Sequence, residues 1–155
     1  MDYLVVKWLH VLSSTVLFGT GLGSAFYMYF TNRTGDVRAI AIVSRRVVVA
    51  DWVFTTPTAI VQPLTGFWLV HLAGFDWRSG RILWSLVLYV LAGACWLPVV
   101  GIQIRMATMA EEAARAGKAL PARFWRYHRW WTALGWPAFI AFVAIFFLMV
   151  VKPAL

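Results

Sequence analysis

Charge is what this chain has least of. Only 13% of its 155 residues are Asp, Glu, Lys or Arg, against 62% hydrophobic, and a water-soluble domain of this size could not cover so much apolar surface. That excludes a soluble enzyme or binding domain and makes the chain an integral membrane protein. Cysteine is nearly absent: Cys95 is alone, so no intrachain disulfide can form. Mid-span, with nothing beside it to activate a thiol, Cys95 reads as a small buried apolar residue. The chain holds three histidines and six acidic residues, in no Cys/His zinc spacing, no Ser/His/Asp arrangement and no pair of intramembrane carboxylates. Zinc, hydrolase and proton-pump readings therefore lack material. Internal repeats and low-complexity tracts are missing too.

Four apolar stretches are present, over about residues 3–30, 51–73, 82–104 and 132–152, each near or above the roughly 20 residues that cross a hydrocarbon core of about 30 Å. They predict an all-α, four-helix transmembrane bundle that occupies the whole chain as one membrane domain. The first stretch has no basic start and no Ala-x-Ala signal, so it reads as a retained span. Pro57 and Pro63 predict a kinked second span whose freed carbonyls must be satisfied inside the bundle.

The net charge of +8 could suggest nucleic acid, but the basic residues sit between spans. Arg33, Arg38, Arg45 and Arg46 separate the first and second; Arg105, Arg115, Lys118, Arg123, Arg126 and Arg129 separate the third and fourth; only Arg78 and Arg81 separate the second and third. By the positive-inside rule the two basic connections are cytoplasmic and both termini lie outside. Basic charge here is a topology signal and a match to anionic lipid, with no nucleic-acid role. Val37 to Ala50 reads as a basic amphipathic lead-in lying along the inner face, residues 106–130 as a cytoplasmic excursion, and FWRYHRWW, with His128, as an interfacial anchor.

Intramembrane ionisable residues are expensive and suggest function by default. His10 lies in KWLHVLSSTVLFGTGLGSAF, about 10 Å below the outer start of its span. Ser14, Leu17, Gly21 and Ser24 follow it on one face as a narrow lane. Such a lane lets another helix or a flat ligand approach the backbone. Two readings of His10 stay open on the residues alone: a ring hydrogen-bonded to a neighbouring carbonyl, or a neutral imidazole ligating haem iron. His71, in WLVHLAGF, ends a span running the other way, so it falls at the same outer end, about 5 Å different in depth by helix rise. It is a possible second iron ligand or an ordinary headgroup-level residue. Lys7, Lys152, Arg78 and Arg81 gather at that end too; they either snorkel to the interface or pair with the carboxylates of an anionic ligand such as haem propionates. Asp51 reads as an ion-pair partner of Arg45, Arg46 or Arg105.

The stretches KWLHVLSSTVLFGTGLGSAF, ADWVFTTPTAIVQPLTG, LVLYVLAGACWLPVV and LGWPAFIAFVAIFFLMVVKP resemble a bacterial family of small predicted integral membrane proteins of unknown function. The resemblance implies a multi-pass protein of the bacterial inner membrane. More distantly, the KWLH start and VVKP end look like the HemJ-type protoporphyrinogen oxidases, four-helix proteins that bind haem b. That likeness implies His10 as an axial ligand, Lys152 as a functional lysine, and haem b as cofactor. The expectation is a haem b protein, an electron carrier or oxidoreductase near the outer leaflet, homodimeric through its glycine-rich surfaces. The alternatives are a non-enzymatic assembly subunit packing against partner helices, and a small transporter using the hydroxyl-rich second span.

Overall fold

A computed structural model describes residues 2–152. The described residues form five α-helices, α1 (Asp2–Thr34), α2 (Val37–Ala50), α3 (Thr56–Leu72), α4 (Gly80–Ala116) and α5 (Ala122–Val151), and no strand occurs among them. α1, α4 and α5 are each long and apolar enough to cross a membrane, whereas α3 is shorter, at 17 residues. Large apolar side chains such as Leu4, Leu64, Val90, Leu97 and Val150 face outward along them, the surface a hydrocarbon solvent would cover.

The turn between α1 and α2 is built from two local devices. Gly35 takes a left-handed φ of 72°, which a residue without Cβ adopts freely. Asp36 then caps α2, its carboxylate accepting from the backbone N–H of Arg38 and Ala39 at 2.9 and 3.1 Å. From there the chain does not lie flat. α2 runs through a single π-helical segment, Asp51–Thr55, straight into α3. The π segment falls where it must, because Pro57 has no N–H to give and its ring crowds the carbonyl of Val53.

This corrects the surface-lying lead-in expected for Val37–Ala50. Its stripe Ile40, Ala41, Ser44, Val47 and Val48 is buried, at the helical spacing of a core-facing side. With Met28 of α1, Met106 and Ala110 of α4, and Phe124 and Trp131 of α5 it forms the main hydrophobic core. The core therefore sits where α1, α2, α4 and α5 meet near the arginine-rich turns, here termed the basic end.

His128 belongs to that core's edge and is no free interfacial anchor. Asn32 Nδ2 donates to its Nδ1 at 3.1 Å, Trp131 stacks on it at 5.8 Å and Tyr29 lies 5.7 Å away. At the other end, where α1 begins and α5 ends, α1 pairs with α3 and α4 with α5. α1 and α5 touch there through Phe18, stacked on Phe139 at 5.7 Å and edge-on to Phe146 at 5.4 Å.

Candidate functional site around His10

His10 sits in the contact between α1 and α3, and three residues of α3 define its surroundings. Gly66 lies under the ring: a Cβ added there would meet His10 Cε1 at 3.2 Å, so the close approach depends on the missing side chain. Thr65 Oγ1 is 2.8 Å from His10 Nδ1, and Gln62 Nε2 is 3.1 Å from His10 Nε2. One turn deeper, Ser13 donates to the carbonyl of Thr58 at 3.4 Å, continuing the same contact.

The Thr65 hydroxyl also lies 2.8 Å from Val61 O and 3.2 Å from Gln62 O of its own helix. It can give its hydrogen to one of those carbonyls and accept from Nδ1–H, or give it to Nδ1. Gln62 Oε1 is buried and unpartnered, and the amide can donate N–H to Nε2 or, turned over, accept from Nε2–H. Chemically this is an imidazole with a hydroxyl on one ring nitrogen and a rotatable amide on the other.

Of the lane expected on α1, only part faces this site. Leu17 is buried, but Ser14 bonds back to Val11 O at 2.7 Å, and Ser13 takes the buried place instead. Gly21, like Gly19 and Gly23, has nothing within 4 Å of where a Cβ would stand, so these glycines make room for no helix of this chain.

The other sequence-derived candidates gather at the same end without meeting His10. His71 is exposed, six residues past Thr65 and so about 9 Å farther along α3 and about 120° around it. The structure does not bring the two histidines together. Lys7 is exposed over the Tyr3 ring at 5.9 Å. Arg81 packs on Phe75 at 4.6 Å, the backbone N–H of Arg78 bonds Asp76 at 2.9 Å, and Lys152 is an exposed left-handed cap of α5. Among the described residues no group of three or more His, Cys, Asp or Glu could hold a metal ion.

Sequence reasoning named His10 but missed its partners. Gln62 and Thr65 were visible only as polar residues in a proline-rich span. Their spacing of three places them on one face of α3, and that was the available signal.

No curated protein and no solved structure matches the chain. A family model does, over residues 4–153, nearly the whole length. Three helices fit to cross a bilayer, apolar side chains facing outward and that match agree: the chain belongs to the family of predicted integral membrane proteins called DUF2269.

Proposed function

We propose that this protein is a four-span helical bundle of the bacterial inner membrane, with both termini outside, that binds haem b through His10. The observation carrying the reading is the pair of contacts on the ring: with Thr65 accepting from Nδ1–H, Nε2 offers its lone pair, the arrangement an iron-ligating histidine needs. His10 would hold the iron through one ring nitrogen. Gln62 would have to swing off Nε2, and its rotatable side chain with one unpartnered oxygen is free to do so.

His10 is then the one iron ligand from this chain, since His71 occupies another face of α3. Lys7, Arg78, Arg81 and Lys152 supply positive charge at the same end for propionates, and the likeness to HemJ-type oxidases at His10 and Lys152 supports a redox role. Haem would supply one-electron chemistry; the chain's own residues orient the imidazole, exclude water through the α1–α3 contact and balance the anionic edge.

The test is a reduced-minus-oxidised spectrum of protein purified in detergent and supplemented with haem, wild type beside His10→Ala. A b-type spectrum that His10→Ala removes is expected. A wild-type preparation that stays colourless would end the reading.

A second reading has its own observation. Gly19, Gly21 and Gly23 stand open, as a surface for a partner helix or a second copy would. On that view the protein is a non-enzymatic assembly subunit, and His10→Ala changes association or stability while no chromophore is involved.

A further inference from the structure

The charged residue buried most deeply along the long second helix is Asp51, in the π segment. Asp51, Thr55 and Gln103 each expose only 5% of their surface. Thr55 Oγ1 donates to Asp51 Oδ1 at 2.9 Å, and Gln103 of α4 lies beside the same carboxyl. The ion pair expected from the sequence is not there. Arg45 reaches Glu111 at 3.9 Å, and Arg105 bonds Tyr127 at 3.2 Å. Arg46 is exposed, and five residues from Asp51 it points about 140° away on the helix. No residue of α1 between His10 and Tyr27, and none of α3 before His71, is titratable.

A carboxylate so placed would be a desolvated charge with no cation beside it, which is strongly unfavourable. A second feature points the same way. Gln103 Oε1 is buried and has no hydrogen-bond partner. A proton on the second carboxyl oxygen of Asp51 removes the charge, and with the Gln103 amide turned to present Oε1 the orphan acceptor gains a donor. An amide also suits the ionised state, because turned over it donates N–H to a carboxylate.

We propose that Asp51 and Gln103 form a proton-exchange site, in which a neutral carboxylic acid held by Thr55 and Gln103 takes up and releases a proton. Release leaves a carboxylate to which Gln103 and Thr55 both donate, and the proton passes to water at the basic end. Thr55, Thr58, Gln62 and Thr65 continue from Asp51 on one face of the helix, at spacings of three and four, and lead to His10. The site is thus one end of a polar seam that runs along the π segment and α3 from Asp51 to His10 of α1. It stands whether or not His10 binds haem.

Infrared spectroscopy of the full-length protein in phospholipid nanodiscs at pH 7, in sodium chloride and in choline chloride, tests this directly. The expected result is a protonated-carboxyl C=O band that shifts down in D2O, persists in both salts, is lost reversibly at alkaline pH, and is missing from Asp51→Asn. In Gln103→Leu the band should remain and move to higher frequency, having lost its acceptor. A wild-type protein without such a band overturns the proposal. So does a band present in choline but lost in sodium, which would mark a sodium site, and so does a Gln103→Leu band left in place. Circular dichroism checks that each variant is folded, and the Gln103→Leu shift decides the matter if Asp51→Asn does not fold. Haem spectra recorded on the same samples keep this outcome separate from that of the His10 reading.

Discussion

Tyr89 of α4 donates its hydroxyl to the carbonyl of Ala59, the acceptor four residues before Pro63 that the proline leaves without its helical N–H. A proline inside an apolar helix thus becomes an interhelical contact, and the backbone polar group is paired as a hydrocarbon solvent demands.

Removing that donor tests the pairing. Tyr89→Phe should destabilise the protein by about 1 kcal/mol, read as a shift in unfolding by denaturant in mixed micelles. In a Pro63→Ala background the carbonyl regains a backbone partner, and the same substitution should then cost much less. Equal losses in both backgrounds would show that the hydroxyl serves something else.

The His10 surroundings make three variants diverge. Thr65→Val removes the group that fixes Nδ1–H, and haem affinity should fall about 10- to 100-fold, as for other lost partners of a metal-bound histidine. Gln62→Leu frees Nε2 and should leave affinity unchanged or raise it. Gly66→Ala pushes a Cβ to 3.2 Å from Cε1 and should weaken binding by displacing the ring. Haem titration followed in the Soret band measures all three; Gln62→Leu behaving like Thr65→Val would contradict Nε2 as the ligating nitrogen.

Acid should loosen the basic end first. Burial pushes His128 below its ordinary value of 6.5, because the charged ring is penalised there. As pH falls, the unfolded chain takes up the proton near 6.5 before the folded one does. The stabilisation is therefore complete above that pH and lost on descent towards the folded value. Thermal unfolding of wild type should decline between pH 7 and 5, and His128→Gln should show a smaller dependence. An identical decline in the variant would assign it to other groups.

The open glycines separate haem binding from assembly. Gly21→Leu meets nothing within the chain, so the monomer should keep its stability and spectrum. If a second copy docks there, light scattering in detergent should report loss of the dimer. No change in mass would remove Gly21 from any interface.

How far the residues alone could be read depends on which force each feature answers to. The apolar runs lie within helices, with α3 ending at Leu72 and α4 beginning at Gly80, because apolar runs of that length have few other fates. The ends were less legible. α1, α4 and α5 continue past the apolar runs to Thr34 and Ala116 and back to Ala122, and α2 joins α3 head-on. An amphipathic stripe such as Ile40 to Val48 looks the same whether it will face lipid headgroups or other helices. Polar pairing was the least legible. Asp51 had Arg45 and Arg46 near it in sequence and pairs with neither; Thr55, next on its own helix face, donates to it, and Gln103, 52 positions away, lies beside it.

By itself, then, the sequence determined that this protein is helical, apolar and membrane-embedded, and it singled out His10, since hydrophobic run length and the rarity of ionisable residues are properties of composition and order. Only the tertiary structure decided that His10 rests on Gly66 between Thr65 and Gln62, that Tyr89 answers Pro63, and that Asp51 has no basic partner. Those are meetings between helices, and which side chains face one another depends on helix rotation and packing, which no local pattern specifies.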